Sequence, residues 1–179
     1  MHERIDEMNN QSFDPSKFSD LISANSDYSQ TFKYSELTGS AARGLAIVTC
    51  MDSRINPLSV VGMRSGDAKI LRNAGARVTE DVLRTLVLAT YLLNVDRILV
   101  MPHTDCRMAQ SDESTLHDEI QKQHGVDTRS LEFRVTKDQD TSLKTDVESI
   151  RTYPLLRKGV SVIGAIYDVK SGAIEFKSY

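Results

Sequence analysis

Residues 45–54 read LAIVTCMDSR, and they carry the clearest signal of the fold. Its first four residues, 45–48, form a short continuous apolar run, which is typical of a strand buried on both faces of a parallel sheet. Two similar runs occupy residues 68–71 and 97–101, and an amphipathic helical pattern that starts near Thr79 lies between them. Because strands and helices alternate, the sequence predicts an α/β fold with a mostly parallel central β-sheet flanked by helices.

The segments on either side of this core have a different character. Residues 1–43 are polar with a few widely spaced apolar side chains, which predicts an N-terminal helical arm. Residues 44–179 are then expected to form a single α/β domain, with two closing C-terminal strands within residues 161–177. His117 and His124 fall on a polar helical stretch, so we expect both side chains to be solvated.

Composition narrows the classes of partner. The chain has 179 residues and a formal net charge of −3, which offers no broad basic surface for nucleic acid. Its apolar runs are shorter than the roughly 18 to 20 residues that span a bilayer, and its first residues lack the apolar core of a signal peptide. We therefore expect a cytoplasmic protein that binds neither nucleic acid nor membrane. Thiols stay reduced in that compartment, so the two cysteines are expected to be ligands or nucleophiles.

Three side chains form a candidate metal site. Cys50 and His103 each follow a predicted strand, and the carboxyl ends of parallel strands meet at one edge of the sheet. Cys106 comes three residues after His103, so both can reach one metal from a tight turn. Two thiolates and one imidazole favour zinc and leave its fourth position for catalysis. The alternative interpretation is a pair of buried structural thiols.

Asp52 and Arg54 add a second layer to this site. Residues two apart in an extended segment point to the same side, so Cys50, Asp52 and Arg54 share one face. Arg54 can hold the Asp52 carboxylate in a forked hydrogen bond, a geometry that lysine cannot provide. If Arg54 releases it, Asp52 could instead become the fourth metal ligand and close the site.

The motif Cys50-x-Asp52-x-Arg54, followed by His103-x-x-Cys106, resembles the metal signature of β-class carbonic anhydrases of the compact bacterial type. The resemblance extends over residues 45–106. It includes a loop similar to one that lines the site in that family, formed by Arg72, Asn73, Ala74 and Gly75.

The resemblance implies one Zn²⁺ per subunit, held by Cys50, His103 and Cys106, in a homodimer or homotetramer. It also implies reversible hydration of carbon dioxide to bicarbonate by metal-bound hydroxide, assisted by Asp52 and Arg54. The family usually has glycine after the second cysteine ligand, whereas this chain has Arg107, which could line or charge the pocket. Two alternatives remain: hydrolysis of carbonyl sulfide or carbon disulfide on the same fold, and a catalytically silent zinc-stabilised protein.

Overall fold

The structure is a computed structural model, and it describes residues 14–179. The chain divides into two compact units between Leu37 and Thr38. The first contains a 3₁₀ turn, Pro15–Phe18, and helix α1, Ser19–Gln30, neither of which has a buried residue. Of the predicted arm, residues 1–13 lie outside the described part of the chain. Among residues 14–179, no helix combines the length and the apolar character that crossing a bilayer requires.

The second unit is built on a five-stranded sheet with the order β2-β1-β3-β4-β5. The first four strands are parallel, and β5 runs antiparallel to β4. The strands are β1 Leu45–Cys50, β2 Ala68–Asn73, β3 Arg97–Met101, β4 Ser161–Tyr167 and β5 Ile174–Lys177, and the helices are α2 Pro57–Val60, α3 Glu80–Leu92, α4 Glu113–His124 and α5 Gln139–Arg151. The predicted α/β fold with a mostly parallel sheet and closing C-terminal strands is confirmed.

The interior strand β1 is buried along its whole length, which explains why its apolar residues do not alternate with polar ones. On one face of the sheet, Ala46 and Val48 pack in a cluster with Leu86 of α3 and Val147 of α5. Ile47, on the opposite face, belongs to a second cluster that also contains both cysteines. The candidate metal site therefore packs against this second part of the hydrophobic core.

Helix α3 starts where the sequence predicted. The Thr79 hydroxyl oxygen accepts a hydrogen bond from the backbone N–H of Val82. Glu80 and Asp81 supply negative charge in the first turn, where the helix dipole favours it. The helix follows β2 and leads into β3, so it forms the crossover that brings the ends of these parallel strands to the same edge.

The predicted exposure of His117 is wrong, because this side chain is only 7% exposed. Residues 128–135 fold back over α4, where Thr128 Oγ1 lies 2.9 Å from His117 Nδ1 and the Phe133 ring centroid lies 5.1 Å from that of the imidazole. Glu113 secures this segment by accepting hydrogen bonds from the backbone N–H groups of Phe133 and Val135. The polar pattern of α4 gave no sign of this cover, whereas His124 is exposed as expected.

Candidate metal centre

Two neighbouring parallel strands bring the three predicted ligands together. Cys50 is the last residue of β1, and His103 lies two residues beyond the end of β3. Thr49 pairs with Met101 in the sheet, and its hydroxyl donates a 2.7 Å hydrogen bond to the Met101 carbonyl. The ends of the two strands are therefore fixed relative to each other, and the loop after β3 carries Cys106 back to the same edge.

The donor atoms have the spacing that a tetrahedral metal requires. One ligand atom from each of Cys50, His103 and Cys106 can be chosen so that all three lie within 4.8 Å of one another. The two sulfur atoms are 4.0 Å apart, close to the roughly 3.8 Å expected for two thiolates on one tetrahedral zinc. All three residues are buried. This is a Cys-His-Cys metal-binding group.

The histidine presents the correct nitrogen. Nδ1 of His103 lies 2.8 Å from the Thr104 carbonyl oxygen, which can only accept, so Nδ1 carries the proton and donates it. The other nitrogen, Nε2, is buried without a hydrogen-bond partner. Buried polar atoms in native proteins are almost always satisfied. The unpartnered Nε2 beside two thiols therefore fits a metal ligand.

The two thiols are electrostatically unequal. Hydrogen bonding from the Cys106 thiol lowers the pKa of Cys50, although burial opposes this shift. The His103 side chain and the backbone N–H groups of Gly75 and Asp52 lower the pKa of Cys50 further. The same interaction with Cys50, together with burial, raises the pKa of Cys106. The pair thus loses its first proton readily and holds its second, which a metal cation must displace to bind both sulfurs.

Asp52 lies beside this group and is held in the predicted fork. Arg54 donates from Nε to Asp52 Oδ1 at 2.9 Å and from Nη2 to Oδ2 at 2.8 Å. These hydrogen bonds hold the pKa of Asp52 well below its usual range, so the carboxylate is ionised at neutral pH. Its Oδ2 lies 3.7 Å from His103 Nε2. The carboxylate is therefore close to the donor atoms while it remains engaged with Arg54.

The end of β2 and the loop after it support the site mainly through hydrogen bonds to the main chain. Arg72 donates to the main-chain carbonyls of Cys50 and Asp52, at 2.9 and 2.6 Å. Asn73 closes the loop by bonding both the N–H and the carbonyl of Arg77. Gly75 has φ 78°, and a Cβ there would lie 3.2 Å from Met108 Cβ, so this position requires glycine. Ala74 lies between Asn73 and Gly75 and packs against the cluster that contains both cysteines.

Arg107 and Asp105, the two neighbours of Cys106 in sequence, form ion pairs with residues outside the Cys-His-Cys group. Arg107 forms an ion pair with Glu119 of α4, and its side chain is 58% exposed. Asp105 occupies a left-handed turn with φ 56° and forms a 2.8 Å ion pair with Arg54. The contact between Asp105 and Arg54 spans 51 positions of the chain. No local pattern indicates a pairing over such a distance.

Known proteins are similar to this chain over most of its length. The family model described as carbonic anhydrase matches residues 45–174. β-Carbonic anhydrase 1 from Mycobacterium tuberculosis is 32% identical over 156 residues, which cover 87% of this chain and 94% of the relative. Carbon disulfide hydrolase from Acidithiobacillus thiooxidans is 28% identical over 150 residues, which cover 73% of this chain and 75% of the relative.

The fold also matches a solved structure. The crystal structure of carbonic anhydrase from Streptococcus mutans superposes with a TM-score of 0.84 and 33% sequence identity. The match covers 94% of this chain and 100% of that chain. The likeness therefore extends over nearly the whole chain.

Proposed function

The chain belongs to the β-class carbonic anhydrases, a family of enzymes, and on this premise we propose that it hydrates carbon dioxide reversibly to bicarbonate. We propose Zn²⁺ as the metal, one per subunit, with Cys50, His103 and Cys106 as its ligands. The observation that carries the proposal is the buried, unpartnered Nε2 of His103 beside two sulfurs 4.0 Å apart. This donor set suits zinc better than the hard cations, which prefer oxygen ligands.

When bound, zinc is a Lewis acid that lowers the pKa of water and so supplies hydroxide near neutral pH. The residues around it have separate tasks in this proposal. Asp52, ionised and next to the donor atoms, would accept a hydrogen bond or a proton from the water that attacks carbon dioxide. Arg54 orients that carboxylate through its fork. Arg72 holds the backbone between Cys50 and Asp52, which keeps the ligand and the carboxylate in register.

Charge determines the expected pH dependence. Two thiolates and a neutral histidine cancel the charge of Zn²⁺, so water is acidified less than at a three-histidine site, where its pKa is about 7. Asp52 stays ionised across the neutral range because Arg54 holds its pKa low, so Asp52 does not itself set the profile. We therefore expect the rate of hydration to rise with pH above about 7.

Stopped-flow hydration of carbon dioxide, monitored with a pH indicator from about pH 6.5 to 9 on protein of known zinc content, tests the proposal. Turnover that rises with pH and scales with bound zinc would support it. Zinc-loaded protein that is inactive over the whole range would contradict it. The relative from Acidithiobacillus thiooxidans is named a carbon disulfide hydrolase, so carbon disulfide and carbonyl sulfide would then be assayed. Inactivity on all three would favour a silent zinc-stabilised protein.

We also propose that the protein is a homodimer or a homotetramer whose second copy covers one face of the sheet. Ile163 and Phe176 on this face are 40% and 59% exposed, and they line an open groove of about 660 Å³ with Leu45 and Leu99. Apolar faces of this kind are typical of obligate homodimer interfaces. Sedimentation equilibrium of wild type and Phe176→Glu tests the interface, with Leu92→Glu on α3 as the exposed control. We expect only Phe176→Glu to yield monomer, and a monomeric wild type would contradict the proposal.

A cytoplasmic location is proposed on the chemistry of the cysteines. Cys50 and Cys106 are both free thiols. Reduced thiols that serve as metal ligands are maintained in the reducing cytoplasm.

A further inference from the structure

The guanidinium group of Arg54 is held by two carboxylates. One edge of the group, Nε and Nη2, donates to Asp52. On its other side, Nη1 donates to Asp105 Oδ2 at 2.8 Å, and Nη2 also donates to the Asp105 main-chain oxygen at 3.1 Å. We propose that Asp105 is a positioning residue, which fixes Arg54 so that Arg54 keeps Asp52 off the metal. This inference rests on the proposed function.

The contacts make Asp105 an anchor for Arg54 rather than a competitor of Asp52. Nη1 serves only the Asp105 carboxylate, whereas Nε serves only Asp52. Nη2 has two hydrogens, one for Asp52 Oδ2 and one for the Asp105 carbonyl. Because no hydrogen has to be shared, binding to Asp105 does not weaken the fork to Asp52.

A second anchor fixes where the fork lies. The Arg54 side chain is 45% exposed, so packing alone does little to hold it in one position. Asp52 lies only two residues from Arg54, so their fork does not connect Arg54 to another part of the site. Asp105 belongs to the loop after β3, between two of the proposed ligands. Its contact therefore ties Arg54 to the loop that carries His103 and Cys106.

Asp105 is itself held in place. Gln110 Nε2 donates to Asp105 Oδ1 at 2.8 Å, which leaves Oδ2 for Arg54. The backbone of Asp105 has φ 56°, a conformation that glycine adopts most readily and that aspartate and asparagine tolerate. Glycine would satisfy this backbone without supplying a carboxylate, whereas aspartate satisfies both requirements.

The test uses Co²⁺-substituted protein, with Asp105→Asn and Asp105→Gly compared with wild type. Asparagine keeps the shape of the side chain and glycine keeps the backbone conformation, but both lose the carboxylate. We expect Asp52 to become the fourth metal ligand in both variants, so that the visible spectrum no longer responds to added azide. We expect kcat for carbon dioxide hydration to fall about 10- to 100-fold. In Asp52→Ala/Asp105→Asn the azide response should return, without recovery of activity.

The matched control is Asp118→Asn, which breaks a short, exposed ion pair of 2.6 Å between Asp118 of α4 and Arg129 beyond the end of that helix. It should keep the wild-type azide response and kcat. An Asp105→Asn protein with both properties at wild-type level would overturn the inference. Loss of metal from that variant would overturn it too, because Asp105 would then support the ligand loop directly. The azide response needs no substrate, so it remains decisive if carbon dioxide proves not to be hydrated.

Discussion

Cys50→Ser is expected to abolish stoichiometric zinc binding and, with it, activity. Cys50 is buried at the end of β1, where its sulfur lies 4.0 Å from that of Cys106. A serine oxygen is a poor zinc ligand and reaches less far, so His103 and Cys106 alone would remain. We expect affinity to fall by more than the roughly 100-fold seen when residues behind the ligands are changed. Metal analysis after dialysis measures this loss.

Cys50→Ser should also lower the free energy of unfolding, because bound zinc stabilises the folded state. A ligand present at 1,000 times its dissociation constant stabilises the folded state by about 4 kcal/mol, and a comparable loss of affinity removes that amount. Thermal unfolding should therefore give Cys50→Ser the same melting temperature as wild type from which a chelator has removed the zinc. The control is Met51→Ser, the next residue, whose side chain is 68% exposed and makes no ligand contact. A Cys50→Ser protein that retains one zinc would refute the proposed ligand set.

Asp52→Asn should separate catalysis from metal binding. Asparagine preserves the size of the side chain but removes the charge that Arg54 holds and the ability to accept a proton. Because Asp52 is not among the three clustered metal-binding residues, zinc content should remain at the wild-type level. Removal of a general base typically costs 10²- to 10⁴-fold, so we expect kcat to fall on the order of 10²-fold or more. Stopped-flow hydration measures the change.

A surface pair provides the matched control for this second substitution. Asp81 forms a 2.6 Å ion pair with Arg84 on α3, and both side chains are more than 70% exposed. Asp81→Asn should leave hydration and zinc content unchanged, since exposed pairs contribute little. Near-normal turnover in Asp52→Asn would show that hydration does not need the carboxylate. Loss of zinc from this variant would show instead that Asp52 helps to retain the metal.

Much of the architecture was predictable because burial and helix capping restrict which residue types occur at neighbouring positions. The run at residues 45–48 is apolar throughout because both faces of β1 are covered. The start of α3 was predictable because Thr79 and the acidic residues after it serve the exposed N–H groups of a first turn. The predicted exposure of His117 failed because its cover comes from outside its own helix, from residues 128–135.

The strands, the fold class and the Cys-His-Cys group were predictable from the amino-acid sequence alone. Each depends on local patterns, because a residue at the carboxyl end of a buried parallel strand can only face the edge where such ends meet. Contacts between side chains on different loops became visible only in the folded structure. It showed that Arg72 binds backbone carbonyls, that Arg107 pairs with Glu119, and that Asp105 reaches Arg54. Such contacts depend on the paths of loop backbones, and residues far apart in sequence leave no periodic signal of where those paths cross.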